Sequence, residues 1–256
     1  MTDDPNKHIP LNKDYGKGIY RRRILLKGGA SRVVAELEDC HHGFRCTVAH
    51  NSAIVTDICG EAIRVPHTTC EGAMAPIKAL IGVPLNTGNA AFSAITHPRA
   101  NCTHLYDLTT LAIAHCSRGD ITRQYDIIIN DEKNGIIEAR ALINQRPIHH
   151  WTIRDNKIEN PTELAGQPVM KGFFSWASST FSEDQREAAF ALHKGYFVSI
   201  ARRWDMRVME GQPVTDYDSR PGVCYSYSEG VVENAYRRRN SIRDFTDTPE
   251  HLLSFK

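Results

Sequence analysis

The chain has 256 residues, 41% of them hydrophobic, which is enough for a substantial core in one large domain or two smaller ones. Lysine and arginine total 31 against 30 acidic residues, so the overall charge predicts neither a nucleic-acid partner nor a membrane partner. No apolar run approaches the roughly 18 residues of a membrane span, and no signal peptide is recognisable. The seven cysteines are an odd number, so we expect reduced thiols and a cytoplasmic protein.

The first half of the sequence predicts strands, and helices only after them. Apolar stretches bounded by turn-forming residues predict strands at 19–26, 31–38, 44–49 and 52–58. Helical patterns then begin near Cys70 and Cys102. Because the strands and helices are segregated rather than alternating, we expect an α+β fold in which an antiparallel sheet carries the helices on one face.

Each of the two predicted helix starts carries a cysteine close to a histidine. Asn101 is a good N-cap for a helical apolar pattern, which puts Cys102 and His104 in the first helical turn. Cys70 follows Thr69, a second residue suited to capping a helix. The positive end of a helix dipole lowers a cysteine pKa and attracts anions, so both positions favour a thiolate or a bound anion.

The second half predicts further strands and one long helix. Turn-forming residues between apolar stretches predict a β-hairpin at 125–129 and 136–143, with a third strand at 148–153. These strands either extend the first sheet or begin another. A capping-box pattern at Ser182 opens a long helix that ends near Trp204, and a shorter helix is predicted at 229–239.

These elements divide the chain into three parts. A polar segment at 1–17 is expected to form a loose N-terminal arm. Residues 18–118 form the predicted α+β core that carries the cysteine and histidine motifs. Residues 119–256 are expected to cover that core with the β-hairpin and the helices.

Four ordered motifs resemble a known bacterial family. They are Asp-Cys-His-His at 39–42, Arg-Val-Pro-His-Thr-Thr-Cys at 64–70, Ile-Gly-Val-Pro-Leu at 81–85 and Cys-Thr-His-Leu-Tyr-Asp-Leu at 102–108. Together they are similar to the motifs of the family known as domain of unknown function 2889, over roughly residues 20–115. In that family glycine often precedes the cysteine-threonine-histidine motif, whereas here Asn101 does. The resemblance implies a shared fold but no reaction.

A more distant similarity concerns the order of the site residues. In IscU-type iron–sulfur scaffolds one ligand comes from a strand loop, and two cysteines each begin a helix. His41 or His42, Cys70 and Cys102 occur in the same order here, with histidine at the first position. The similarity implies that the motifs converge at one end of the sheet, although a shared fold would not impose a shared function.

The candidate site therefore combines thiols and imidazoles. We predict His42, Cys70, Cys102 and His104 as catalytic residues, because a histidine can take a proton while a thiol near a helix start holds negative charge. The same four residues together with His41 are the predicted metal ligands, and His67 is an alternative to His41 or His42. Zinc and iron both accept thiolate and imidazole, although no Cys-x-x-Cys pair is present.

Other polar and aromatic clusters favour ordinary structural roles. The arginine runs at 21–23 and 237–239 are expected on solvated faces or in contact with carboxylates or phosphates. His149 and His150 adjoin in a predicted strand and should lie on opposite faces of the sheet. Aromatic residues at 173–176 and 224–227 either belong to the core or line a pocket that accepts an aromatic ligand.

The sequence favours a small-molecule catabolic enzyme. No nucleotide-binding motif is recognisable, which favours lyase, hydrolase or isomerase chemistry. Among these we predict a lyase that uses cysteine and histidine proton transfer, with or without a metal ion, on an aromatic substrate. The expected cofactor is either none or a single zinc or iron ion. A metal-binding or iron–sulfur scaffold protein is the alternative, and a non-catalytic ligand-binding module is the third hypothesis. We expect a small-molecule substrate, no nucleic acid and no membrane, and the sequence leaves homo-oligomerisation open.

Overall fold

The computed structural model describes residues 9–216 and 220–255, with the backbone alone at 89 and 90. Eight strands in these ranges form one antiparallel sheet, in the order β4-β3-β2-β1-β5-β6-β7-β8. The strands are β1 Ile19–Lys27, β2 Arg32–Glu38, β3 Gly43–His50, β4 Val55–Arg64, β5 Thr122–Asn130, β6 Ile137–Ile143, β7 Arg146–Arg154 and β8 Lys157–Asn160.

Four α-helices and several short 3-10 helices accompany this sheet in the described residues. The α-helices are α1 Asn89–Ile95, α2 Thr103–Cys116, α3 Phe173–Thr180 and α4 Glu183–Ser199. The 3-10 helices are Thr68–Met74, Pro76–Leu80, Pro98–Ala100, Thr162–Leu164, Ile200–Arg203, Met206–Met209, Val214–Asp216, Tyr225–Tyr227, Val232–Asn234 and Pro249–His251. The α+β prediction is therefore confirmed.

The centre of the sheet is the pair β1 and β5. These two strands pair along their whole length, from Ile19 opposite Asn130 to Lys27 opposite Thr122. Every second residue of β1 is buried on the same face, because successive side chains of a strand point to opposite sides. The buried positions of β1 are Tyr20, Arg22, Ile24 and Leu26. A charged arginine therefore lies among apolar side chains at the middle of the sheet.

Both long helices cover this same face. Helix α2 packs on β2 and β3, where the Thr109 hydroxyl lies 3.3 Å from the Cys46 sulfur. Helix α4 packs on β5, β6 and β7, and Gly195 faces the two central strands. A Cβ atom at Gly195 would lie 2.6 Å from Ile127 Cγ2 and 3.4 Å from Tyr20 Cε1, so only glycine permits this approach. The predicted placement of helices on one face of the sheet holds for α2 and α4.

The second set of strands extends the first sheet. Because β5 pairs with β1, residues after 118 do not simply cover the core, and β6, β7 and β8 continue the sheet outwards. The chain thus repeats one arrangement twice, in which a four-stranded meander is followed by a helix. Strands β1–β4 with α2 form the first half, and strands β5–β8 with α4 form the second half.

Several predicted elements differ from the observed ones. The predicted helix at Cys70 consists of two 3-10 helices, Thr68–Met74 and Pro76–Leu80, because Pro76 lacks the N–H group needed to continue one α-helix. The short helix predicted at 229–239 is reduced to one turn, Val232–Asn234. The predicted helix at 182–204 is confirmed as α4 and a following 3-10 turn, although the Ser182 side chain makes no capping hydrogen bond.

The predicted N-terminal arm is only partly within the described ranges. Residues 1–8 lie outside them. From residue 9 onwards the arm is docked rather than loose, since Ile9 is buried and the Asn12 N–H donates to the Arg203 carbonyl at 2.9 Å. Leu11 also forms a bridge with Trp204.

Candidate functional site

The turn between β2 and β3 holds a buried aspartate. Asp39 is fully buried, and its Oδ1 accepts hydrogen bonds from the backbone N–H groups of His41 at 2.8 Å and His42 at 2.9 Å. The Asp39 N–H donates in turn to the His42 carbonyl at 2.8 Å. A short polar side chain that accepts from the following backbone N–H groups is typical of such a turn. The turn thereby fixes the positions of both histidines.

The second oxygen of Asp39 faces strand β1. Its Oδ2 accepts from the Tyr20 hydroxyl at 2.9 Å and from Arg22 Nη2 and Nε at 2.6 and 3.0 Å. Burial alone would raise the pKa of Asp39, but its interaction with His42 and the charge of Arg22 lower it further than burial raises it. The pKa of Asp39 therefore lies well below its ordinary value, and the carboxylate stays ionised.

His42 is directly bonded to this carboxylate. Its Nδ1 lies 3.0 Å from Asp39 Oδ1, which assigns the ring proton to Nδ1 and leaves Nε2 as an acceptor. Burial lowers the pKa of His42 below its ordinary value, while Asp39 opposes this change. A neutral imidazole oriented by a carboxylate is the usual form of a histidine general base.

His104 lies against His42. It occupies the first turn of α2, and the two ring centroids are 3.7 Å apart with an interplanar angle of 26°. Burial and the neighbouring His42 hold the pKa of His104 well below its ordinary value. His104 is partly exposed, whereas His42 is buried. The predicted approach of His42 and His104 is thus observed.

Cys102 lies next to His104 but is not a thiolate. Its sulfur is 4.0 Å from His104 Nδ1, and Cys102 rather than Asn101 is the N-cap of α2. Burial, and secondly the neighbouring Cys70, raise its pKa strongly, although the backbone N–H groups of Leu105 and His104 oppose this. The expectation of a thiolate at this helix start is therefore wrong, because loss of water outweighs the helix N-terminus.

Cys70 is also a buried thiol. Like Cys102 it is 7% exposed, and it accepts a hydrogen bond from the Ser226 hydroxyl at 3.3 Å. Burial raises its pKa, against smaller opposing contributions from Ser226 and the surrounding backbone. The N-cap of its 3-10 helix is His67, and no side chain caps the helix. The prediction that Thr69 is the cap is therefore wrong. Burial therefore favours the protonated thiol at both positions, so a metal ion would have to displace these protons on binding.

His41 points away from the stacked pair. Its ring lies edge-on to that of His42, with centroids 6.2 Å apart, and neither of its ring nitrogens has a hydrogen-bond partner among the described residues. It borders a cavity of about 50 Å³ that is otherwise lined largely by Cys40 and residues of 201–207 and 242–244. Neither His42 nor His104 lines this cavity. The alternative ligand His67 packs edge-on against Tyr227 at 5.3 Å.

Sequence reasoning missed the residues that hold the histidines in place. Asp39 was part of a recognised motif but was not predicted as a site residue. The 21–23 arginines were expected on solvated faces or in contact with carboxylates or phosphates, and Arg22 does contact a carboxylate, but in the core of the protein. The alternation of β1 was the available signal, since Arg22 shares its face with Tyr20 and Ile24. Among the neighbouring arginines, Arg23 follows the prediction by bonding Asp126 at 2.7 Å on the other face.

Other predicted clusters are structural. His149 is buried and bonds the Gln185 carbonyl, while His150 is exposed beside Glu138, so the predicted opposite faces are confirmed. Phe173 and Trp176 belong to an aromatic cluster in the core of the second half.

The described residues contain one group of side chains that could bind a metal ion. Asp39, His42 and His104 each offer a ligand atom, and these atoms lie within 4.8 Å of one another. Two imidazoles and a carboxylate are suitable ligands for zinc or iron. However, both Asp39 oxygens already accept several hydrogen bonds, and Arg22 places a positive charge beside them. The carboxylate thus suits the orientation of His42 better than metal coordination.

Comparison with known proteins does not assign the chain to a family. No protein-family model, no curated protein and no solved structure matches the chain. The resemblance to the domain of unknown function 2889 family and to IscU-type scaffolds stays a prediction. None of the helices in the described residues combines the length and apolar character needed to cross a membrane.

Proposed function

We propose that the protein is an enzyme that removes a proton from a small molecule and cleaves an adjacent bond, which is lyase chemistry. One observation carries this proposal. Asp39 Oδ1 orients His42 by a hydrogen bond of 3.0 Å to Nδ1, and the neutral imidazole of His104 stacks on the His42 ring with 3.7 Å between the ring centroids. Such a pair provides a base and a neighbouring polar group without any nucleotide cofactor.

The partners of the two rings give them different roles. His42 donates from Nδ1 to Asp39, so its Nε2 accepts a proton from the substrate. Cys102 keeps its proton and faces His104 Nδ1 at 4.0 Å, which favours the His104 tautomer with its proton on Nε2. His104 Nε2–H then donates a hydrogen bond to the negative charge that develops on the substrate.

The reaction step follows from these roles. His42 Nε2 takes the proton from a substrate hydroxyl or carbon, and the electron pair left behind drives cleavage of the neighbouring bond. That pair forms a new double bond, and the leaving fragment receives the electron pair of the broken bond while His104 stabilises its charge and His42 returns the proton to it. Asp39 stabilises the protonated His42 between the two transfers. An aromatic substrate is the expected class because its flat ring can stack on an imidazole.

Deuterium exchange tests this proposal even while the natural substrate is unidentified. The protein is incubated in D₂O with a panel of aromatic hydroxy and keto compounds, and mass spectrometry follows both cleavage products and deuterium uptake. We expect His42→Gln to lose roughly 10²-fold or more of any activity found. His50→Gln is the matched control, because His50 is another buried histidine of the sheet and its side chain bonds, among the described residues, only the local Ser52 N–H. Equal activity in the wild type and His42→Gln would exclude His42 as the base.

A metal centre is the second candidate function, favoured by the 4.8 Å grouping of Asp39, His42 and His104. A bound zinc or iron ion would supply Lewis-acid chemistry there, with the two imidazoles as its main ligands. Metal analysis of protein purified anaerobically separates the candidates. Stoichiometric metal that disappears in His104→Ala would favour the metal centre over the metal-free base.

A further inference from the structure

Arg64 bonds the turn that carries His42. It is the last residue of β4, and its side chain is 12% exposed. Its guanidinium donates hydrogen bonds to three carbonyl oxygens of the 39–42 turn, those of Asp39, of Cys40 at 3.1 Å and of His42 at 3.2 Å. One side chain therefore holds three of the four backbone carbonyl groups in this turn.

Two further hydrogen bonds fix the guanidinium itself. Its Nη2 donates to Glu38 Oε1 at 3.1 Å, and its Nη1 donates to the Ser241 carbonyl at 2.7 Å. The Glu38 side chain is only 6% exposed, so it balances the charge of Arg64 in a mostly buried ion pair. Because the donors of a guanidinium form a rigid planar fork, bonds to so many acceptors leave the group little freedom to move.

The pairing of β3 with β4 is irregular at Arg64. Between Gly43, which pairs with Arg64, and Phe44, the register shifts by one residue, so β4 contains one extra residue there. An extra residue of this kind redirects a side chain, and it is common beside active sites. Gly43 directly follows His42, so the irregular end of β4 lies against the end of the turn.

The turn is thus held from two sides. On one side, Arg22 of β1 bonds the Asp39 carboxylate, which bonds His42 Nδ1 at 3.0 Å. On the other side, Arg64 of β4 bonds the backbone of the turn. The first attachment orients the His42 ring, and the second holds the backbone from which the Asp39 and His42 side chains both extend. The stacking of His42 on His104, with 3.7 Å between the ring centroids, therefore depends on both attachments.

We propose that Arg64 is a positioning residue that keeps His42 in place for proton transfer. Among the described residues its side-chain hydrogen bonds end on backbone carbonyls and on Glu38, so it acts through the turn and not on the substrate. The proposal rests on the proposed function, since it concerns the same base. Misplacement of a catalytic group by about 1 Å can cost on the order of 10²-fold in rate, so a loosened turn should lower kcat.

NMR of Arg64→Lys tests the proposal without any substrate. Lysine keeps the positive charge beside Glu38 but lacks the planar fork that spans several carbonyl groups. The measured quantity is the exchange with water of the His42 Nδ1 proton, which is bonded to Asp39 Oδ1 and is identified by its absence from His42→Gln. We expect this exchange to be roughly tenfold or more faster in Arg64→Lys than in the wild type, because the turn opens more easily.

Kinetics and a matched variant separate positioning from general stability. With any substrate found in the panel of aromatic compounds, Arg64→Lys should lower kcat by roughly tenfold to 10²-fold and leave KM within about twofold of the wild type. Arg45→Lys is the matched control, because Arg45 of β3 also pairs with a glutamate of β2, Glu36 at 2.8 Å, but lies outside the turn. It should change neither the proton exchange nor kcat.

Several outcomes would overturn the positioning role. They are a wild type in which the His42 Nδ1 proton exchanges without protection, wild-type exchange and kcat in folded Arg64→Lys, and equal changes in Arg45→Lys. A lower free energy of unfolding with unchanged exchange would identify Arg64 as a structural residue and also reject the role. If Arg64→Lys does not fold, the double variant Arg64→Gln/Glu38→Gln replaces it in both measurements, since neither charge of the pair is then left without its partner. Failure of both variants to fold would again identify a structural residue.

The two proposals fail separately. If His42→Gln keeps full turnover while Arg64→Lys accelerates the proton exchange, the base is wrong and Arg64 still orders the turn. If His42→Gln loses turnover while Arg64→Lys keeps both the exchange and the kcat of the wild type, the base stands and the positioning role is rejected.

Discussion

The two halves of the sheet share one arrangement but enclose different chemistry. In the first half, Tyr20 and Arg22 of β1 bond a buried Asp39, and two stacked histidines lie beside that carboxylate. In the second half, Tyr125 of β5 bonds Glu187 of α4 at 2.6 Å. The two tyrosine–carboxylate pairs therefore lie on the same face of the central strands.

The side chains packed in the two halves differ. In the first half, the partly exposed His104 lies near the Asp39 carboxylate. In the second half, aromatic rings fill the core. Phe173 stacks on His193 at 4.4 Å and contacts Trp176 and Trp151 at 5.7 and 6.1 Å. The comparison shows that one backbone arrangement places histidines beside the carboxylate in one half and packs an aromatic core next to a tyrosine–carboxylate pair in the other, so the side chains decide where chemistry is feasible.

The largest expected effect is the removal of the buried carboxylate. Asp39→Ala should lower the free energy of unfolding by about 3–5 kcal/mol, because it leaves Arg22 as an uncompensated buried charge. Urea unfolding measures this change. Asp126→Ala is the matched control, since its ion pair with Arg23 is partly exposed and should contribute no more than about 1 kcal/mol. Similar losses in both variants would mean that the buried network has no special role.

The aromatic half should lose stability without losing chemistry. Phe173 of α3 is fully buried against α4. Phe173→Ala should therefore lower the free energy of unfolding by about 3 kcal/mol through the cavity that it creates. Turnover per folded molecule should stay within about twofold of the wild type, since the cluster supplies no proton-transfer group. Urea unfolding and activity are measured on the same sample. A selective loss of turnover in this variant would break the proposed division between the halves.

His104 should show the opposite behaviour. His104→Ala should reduce turnover by roughly 10²-fold, because the developing charge loses its hydrogen-bond donor. Its loss should cost only about 1 kcal/mol of stability, since the residue is partly exposed in the first turn of α2. His193→Ala provides the control in the second half, where a buried histidine stacks on Phe173 and should not affect turnover. Full activity in folded His104→Ala protein would remove this residue from the mechanism.

The smallest effect concerns acid stability, to which both halves contribute. His42, His104 and His193 all have a pKa lowered chiefly by burial, in the last case to about 3. These histidines bind protons in the unfolded chain at a higher pH than in the folded protein. Their contribution to the free energy of unfolding is therefore fully present above about pH 6.5 and is lost as the pH decreases below it. A buried histidine such as His193 should contribute a loss of about 2 kcal/mol between pH 6.5 and 5. Urea unfolding at both pH values measures this loss, and His193→Leu should reduce it. If His193→Leu lost as much stability between these pH values as the wild type, the lowered pKa of His193 would be contradicted.

The sequence by itself determined the local elements. Alternating burial in β1, the turn residues between strands and the apolar pattern of α4 all follow from neighbouring residues, and these predictions were largely confirmed. The proximity of Cys102 to His104 was also predictable, because both lie at the start of one helix. The prediction near Cys70 was less accurate, since Pro76 interrupts the helix there.

Only the tertiary structure decided which groups meet and what charge they carry. Arg22, Asp39 and His104 come from a strand, a turn and a helix, and no local pattern indicates that they contact one another. The thiol of Cys102 shows the same limit, since its helix position favours a thiolate but burial raises its pKa. Burial depends on every element packed around a group, so a pKa and a site geometry arise from long-range packing that the order of residues does not display.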